Sequence, residues 1–559
     1  MNGPPVTQET RVIGEQLTVV SGTFRISGTL RRLLPHWLRR EPLSLWLAAI
    51  TVAGAASLPV LYLAVRAAES GDSAVDSIFD ADTVAILWRS IQLIALVTLG
   101  SVLIAVPLAW LTVRTDLPFR RAWAVASVLP LAIPSYVGAL AFISAFGPKG
   151  LLQGWLEGPF GVERLPDMYG LTGASAVLIL LSYPYVFLTV RATLWRLEPE
   201  MEEASWSLGR SPWQTFRRVT LPLLYPAIGA GALLVALYTL SDFGAVALLQ
   251  YDTFTRVIFN EYNSAFNRTA AAALSLVLLG VAVSLILIEA SARRRARYYA
   301  GANAARRKSR VVTLGRWRMP ATIFSGVVTF LALAIPVFVL IYWLGRGINA
   351  GESELFDWGA AFTSVRYSIA ASVATVIAAV PISVLSVRRP GLLSAGLERF
   401  SYVGFAMPGI AVGLGLVFFG IRYATGIYQT VYLLVFAYVV LFLPVAVGSI
   451  RASLMQVNPR MEEAAMSLGR TRINAFLTVT VPVIRPGLAA AAIMVFLLTM
   501  KELPATLILG PVESRTLATS IWTAAEEAFF ARAAAPSLLL VLASAAPMTF
   551  LVLRERSNN

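Results

Sequence analysis

Twelve stretches of this chain stay apolar for about twenty residues at a time, the length at which a helix crosses roughly 30 Å of hydrocarbon. They run approximately over 43–65, 86–113, 122–146, 169–190, 223–249, 270–290, 321–344, 366–387, 398–421, 429–450, 483–509 and 535–553. Pro134 and Pro408 interrupt the third and ninth runs. Of the 559 residues, 57% are hydrophobic and 14% charged, more apolar surface than a soluble fold of this size buries. The expectation is an all-α, polytopic membrane protein with about 12 transmembrane helices.

The net charge of +15 follows a membrane topology. Basic residues collect in alternate connections: Arg31, Arg32, Arg39 and Arg40 before the first run, then Arg114, Arg120 and Arg121, then Arg191 to Arg218, then Arg293 to Arg318, and finally Arg554 and Arg556. Acidic residues mark the others, with Glu69, Asp72, Asp76, Asp80 and Asp82 after the first run and Glu352, Glu354 and Asp357 after the seventh. By the positive-inside rule the basic connections and both termini are cytoplasmic, and nucleic acid is not a partner. No cysteine is present, which removes disulfides and thiolate metal sites, and the single histidine, His36, reads as surface. The polar lead before the first run is too long for a cleaved signal peptide, so that run is expected to remain as an anchor.

The chain is written twice. "AVPLAWLTVR" at 105–114 pairs with "AVPISVLSVR" at 379–388, an offset of 274. Pro184, Arg191, Pro199, Gly209 and Pro222 pair with Pro444, Arg451, Pro459, Gly469 and Pro482 at an offset of 260. The difference lies in an extra outside loop of the first copy, 147–170. Six spans per copy give both the same orientation, related by an axis along the membrane normal. The expected organisation is a cytoplasmic segment 1–42, a first helix 43–66, a first repeat domain 84–290, a basic linker 291–320, a seventh helix 321–344 and a second repeat domain 363–553.

Between the fourth and fifth runs each copy carries one polar phrase, "MEEASWSLGR" at 201–210 and "MEEAAMSLGR" at 461–470. Pro199 and Pro459 suit a first helical turn, Asn458 an N-cap, and Glu200, Glu202, Glu203, Glu462 and Glu463 the positive end of a helix dipole. Gly209 and Gly469 end the helix, Ser211 or Thr471 starts a second, and Pro222 or Pro482 is expected to break it. Met201, Ala204 and Leu208, with Met461, Ala464 and Leu468, share a face predicted to pack on the chain's own helix ends.

"EASWSLGRSPWQTFRRVTLP" and "EAAMSLGRTRINAFLTVTVP" resemble the EAA motif of ABC importer permeases, with Ser205 in place of the second alanine. The resemblance covers most of both copies. It implies that Glu203, Ala204, Ser205, Gly209 and Pro222, and Glu463, Ala464, Ala465, Gly469 and Pro482, belong to coupling helices that dock on cytoplasmic ATPase subunits. It also implies two ATPase copies, an extracytoplasmic substrate-binding protein and a bacterial inner-membrane location. Trp206 against Met466 is a difference that a homodimeric ATPase must tolerate. The chain itself is not expected to be an enzyme or to hold a cofactor. Its three lysines, Lys149, Lys308 and Lys501, follow Pro, Arg and Met, so none belongs to a Gly-Lys phosphate loop.

The fifth run of each copy holds an acid at matched depth, Asp242 in "TLSDFGAVALLQYDTFTR" and Glu502 in "TMKELPATLILG". A carboxylate inside a span is costly and usually faces a cavity or partner, so both are candidate pathway residues toward the outer side. The two segments are similar to those of the ferric-iron subgroup of these permeases, and hard Fe(III) prefers oxygen ligands. Thiamine, sulfate, polyamine and phosphonate permeases share the architecture, and an ion-gradient-driven transporter is the reading from another class. The outside tryptophans Trp155, Trp358 and Trp522 fit interfacial anchoring, beside the loop carboxylates Glu526 and Glu527.

Overall fold

The computed structural model describes residues 43–69, 71, 78–197, 199–263, 267–295, 311–352, 355–402, 404 and 407–554. His36 and the other residues of segment 1–42, Asp72, Asp76, Glu354, residues 296–310 of the basic linker and Arg556 lie outside the described residues. The rest is helical: α1 Leu43–Glu69, α2 Ala81–Arg114, α3 Arg120–Ala126, α4 Ser135–Phe146, α5 Leu151–Phe160, α6 Leu171–Arg196 and α7 Pro199–Ser207. Then come α8 Pro212–Ser241, α9 Gly244–Leu248, α10 Phe254–Asn263 and α11 Arg268–Arg295. The second copy follows with α12 Gly315–Asn349, α13 Trp358–Arg388, α14 Leu392–Ser401, α15 Gly409–Tyr423, α16 Val431–Leu454 and α17 Arg460–Ser467. It ends with α18 Arg472–Lys501, α19 Pro504–Leu509, α20 Leu517–Glu526 and α21 Phe530–Arg554.

Among the described residues nine helices are long and apolar enough to span, and a bent pair makes a tenth. The third expected span is that pair, Arg120–Ala132 and Ser135–Phe160, bent by 100°. Its cause is local: proline disfavours helical backbone in the residue before it, and Ile133 is extended (φ −85°, ψ 118°). Pro408 acts alike, so the ninth run becomes α14 and the 15-residue α15, which starts at Gly409. The twelfth run lies in α21, whose segment Phe530–Ala545 is a shorter apolar helix.

Each copy builds the same three-helix core. In the first, α2 and α6 pack together and both pack on α8; in the second, α13 and α16 pack together and both pack on α18. The first helix of each copy leaves its own core for the other. Pro59 of α1 meets α15 so closely that a Cβ on Gly415 would stand 2.7 Å from the Pro59 carbonyl oxygen. Tyr62 packs edge-on to Phe419 and Tyr423, and Glu69 pairs with Arg422 at 3.1 Å. In return, α12 lies on α4, where the Trp343 indole donates to Ser144 at 2.5 Å and Val339 packs against Ala141 and Ala145.

Pro222 and Pro482 do not break their helices, contrary to expectation. A π-turn spans Phe216–Thr220 in α8 and Phe476–Thr480 in α18, and the proline follows two residues later. α12 repeats the device, with a π-turn at Phe330–Ala334 ahead of Pro336. A proline removes one amide and crowds the carbonyl four residues back; widening the turn there lets the helix continue.

Candidate functional site

The repeated phrase forms the predicted short helices, α7 and α17, and each stops at a left-handed glycine, Gly209 at φ +79° and Gly469 at φ +87°. A side chain is rarely tolerated in that conformation. Asn458 Oδ1 accepts from the Arg460 amide at 3.1 Å, as a cap should. Ser211 opens the following helix with a reciprocal box to Gln214, and Thr471 Oγ1 accepts from the Asn474 amide at 3.3 Å.

The face assignment is overturned. Met201, Ala204, Leu208 and their counterparts Met461, Ala464 and Leu468 are exposed, Leu208 by 77% and Leu468 by 85%. The inward face is the neighbouring register, Glu202, Ser205 and Ala465, with Glu202 only 5% exposed. Glu203 and Glu463 point outward. Glu202 accepts from Thr220 Oγ1 at 2.9 Å and lies 3.6 Å from Arg114 Nε. Arg114, the last residue of α2, also donates to the Leu197 carbonyl at 3.3 Å. In the second copy Glu462 meets Arg388 Nη2 at 2.9 Å and accepts from Thr480. One carboxylate per copy therefore ties the short helix to the end of one core helix and to the π-turn of another.

Sequence reasoning missed these triads because residues 202 and 205 carry the same helical spacing as 201 and 204. The usable signal was the repetition of Arg114 as Arg388 and of Thr220 as Thr480. Ser205 now has a reason: its hydroxyl pairs with Thr215 Oγ1 at 2.9 Å, and the second copy replaces both members, with Ala465 and Ala475. Ser205→Ala or Thr215→Ala alone is expected to cost about 1–2 kcal/mol, because the surviving hydroxyl loses its partner, while the double variant is nearly neutral. A double-mutant cycle on the unfolding midpoint measures this; additive losses would contradict it.

Pro222 and Pro482 sit in the first turn after the π-turns, next to Thr220 and Thr480.

At the opposite ends of α8 and α18 lie the two acids. They are not inside a helix, as the run lengths suggested, but end one. Asp242 is extended (φ −67°, ψ 130°), as is Glu502 (φ −71°, ψ 115°). Asp242 Oδ1 accepts from the Ala245 amide at 3.0 Å and Glu502 Oε1 from the Ala505 amide at 3.2 Å, so each caps the next short helix, α9 or α19. Thr255 and Thr506 donate to the Asp242 and Glu502 carbonyls, both at 2.6 Å. The acids also meet the second break of their own copy. The Ser135 hydroxyl, just after Pro134, faces Asp242, and a Cβ on Gly409, just after Pro408, would stand 2.2 Å from Glu502 Oε1. Lys501 does not pair with Glu502; its ammonium crosses to the other copy and donates to the Leu131 carbonyl at 2.7 Å.

Nearby, Trp522 packs at a tilt against Phe243, with ring centroids 4.9 Å apart and planes 39° apart. Partial burial raises the Glu526 carboxyl above its usual range; a Trp522 hydrogen bond opposes this and the Glu527 charge reinforces it. No group of three metal-ligating side chains occurs among the described residues.

The sequence profile described as "Binding-protein-dependent transport system inner membrane component" matches residues 101–297 and again 371–556. The Fe(3+)-transport system permease protein FbpB 2 of Haemophilus influenzae is 36% identical over 517 residues, covering 92% of this chain and 98% of that protein. A ferric transport system permease protein of Actinobacillus pleuropneumoniae is 23% identical, over 76% of this chain and 64% of its own length. A probable sulfate transport system permease of Nephroselmis olivacea is 30% identical over 35% of this chain and 74% of its own length.

Proposed function

Because this chain belongs to the family of binding-protein-dependent transport system inner membrane components, carrying two copies of its domain in one polypeptide, we propose that it is the permease of an ATP-driven importer of ferric iron. The near end-to-end similarity to an Fe(3+)-transport permease supports the substrate. The outward apolar faces of α7 and α17 support the coupling: large exposed apolar patches on a helix framed by polar residues mark partner surfaces. Two such faces call for two ATPase subunits, one per copy, with both chain termini on that side. An extracytoplasmic binding protein delivers the iron at the other end.

Mechanically, α7 and α17 act as handles. A movement imposed on α7 passes through Glu202 to Arg114 at the foot of α2 and to Thr220 at the foot of α8; α17 works through Glu462, Arg388 and Thr480. The far ends of α8 and α18 break at Asp242 and Glu502, beside the breaks at Pro134 and Pro408. Discontinuous helices facing one another are where transporters place their substrate sites. The carboxylates are held there by backbone amides and offer their remaining oxygens to a passing cation.

Two measurements test this reading. Co-purification from the native membrane should recover an ATPase and a binding protein that carries ferric iron; a binding protein loaded with thiamine, sulfate or a phosphonate would move the chain to another substrate. Replacing Asp242 by Asn and Glu502 by Gln together, which keeps the cap geometry, should lower iron uptake about ten-fold at normal membrane abundance, the equivalent of about 1.4 kcal/mol in the barrier. Unchanged uptake leaves the two acids as helix caps only.

A further inference from the structure

We propose that a groove on the seam between the two copies holds one anionic phospholipid, its phosphate on Arg399 and its chains along α11, in the leaflet on the arginine-rich side of the protein. The inference rests on the membrane-spanning fold and not on the substrate assigned above. The groove, of about 420 Å³, lies between α11 of the first copy and α14 of the second. Its apolar wall is the end of a spanning helix, where Val283 and Leu287 are left open. Its polar wall is Glu398, Arg399 and Tyr402.

The charges on that wall do not balance. Glu398 is already occupied, taking hydrogen bonds from the Arg451 guanidinium and, at 2.5 Å, from the Ser386 hydroxyl. The Arg399 side chain makes no hydrogen bond or ion pair among the described residues. With Glu398 taken by Arg451, the Arg399 guanidinium is left as a surplus positive charge at the end of an apolar trough. An amphiphile with an anionic head and aliphatic tails satisfies both walls at once; a free anion leaves the apolar wall bare and a zwitterionic lipid gains less from the charge. Tyr402 adds a hydroxyl donor to the head region.

The repeat shows that folding does not require this chemistry. At the offset of 274 the first copy has Ala124, Val125 and Val128 where the second has Glu398, Arg399 and Tyr402. Ala124 and Val128 are buried as core. The same position in the same architecture is closed by aliphatic packing in one copy and opened onto a charged groove in the other.

The full chain, purified in detergent and stripped of lipid, is titrated with phosphatidylglycerol or phosphatidylcholine, and bound lipid is counted by native mass spectrometry. One phosphatidylglycerol should be retained per chain at concentrations where phosphatidylcholine is lost, and millimolar inorganic phosphate should not displace it. Arg399→Gln should weaken retention about five-fold, the equivalent of one basic group near a headgroup, while Arg399→Lys keeps most of it. Val283→Trp fills the apolar wall without altering charge and should expel the lipid; it decides the matter if Arg399→Gln does not fold. Equal retention of phosphatidylcholine, displacement by inorganic phosphate, or undiminished binding in Val283→Trp would each overturn the proposal.

Discussion

A chain carrying Leu208→Asp and Leu468→Asp is expected to lose its ATPase subunits on purification and to lose uptake with them. Both leucines are almost fully exposed on the outward faces of α7 and α17, so the fold should hold within about 0.5 kcal/mol. A buried carboxylate with no partner in each docked interface costs about 2 kcal/mol or more. Across two sockets that is at least about 10³-fold in association. Each single variant should retain one socket and bind measurably. If the double variant still brings down the ATPase and moves solute, these faces are not the docking surface.

Glu202→Ala should act on the other side of the same helix, with the opposite signature. It leaves Arg114, whose side chain is 5% exposed, as an uncompensated buried cation, a change worth about 3–5 kcal/mol. Docking is expected to survive because the outward face is untouched, whereas transmission fails: ATP hydrolysis continues while uptake falls. Glu462→Ala should cost less, since Arg388 and Glu462 are 12% and 20% exposed and water reaches both. Glu202→Leu combined with Arg114→Leu should recover much of the lost stability, because it removes both charges, but not the coupling. Thermal unfolding and the ratio of hydrolysis to uptake separate these outcomes. Equal losses of docking and uptake would show that the Glu202 triad merely holds α7 folded.

Much of this architecture is legible before any coordinates. Run length predicts nine of the twelve spans as single long helices among the described residues, the offsets of 274 and 260 predict two halves that build the same three-helix core, and Gly209 and Gly469 mark where the short helices stop. Prolines at 134 and 408 flag two places where the apolar runs do not stay straight. These are local effects: burial of a long apolar segment in lipid, the glycine-only backbone, the restriction a proline puts on its predecessor. Each acts within a few residues and needs no knowledge of neighbours.

Which face of a short helix turns inward is a different kind of question. Residues 201 and 204 are as well spaced as 202 and 205, and hydrophobicity favours the wrong set, since a glutamate is costly to bury. Glu202 goes inside only because Arg114, nearly ninety residues earlier, and Thr220, eighteen later, arrive to meet it. The same holds for Asp242 and Glu502, which read as charges within a span until the backbone breaks at each and an amide is there to bind it. Chemistry within a turn of helix was thus written in the linear order of residues, whereas the choice between equivalent faces waited on partners that meet only when distant helices pack.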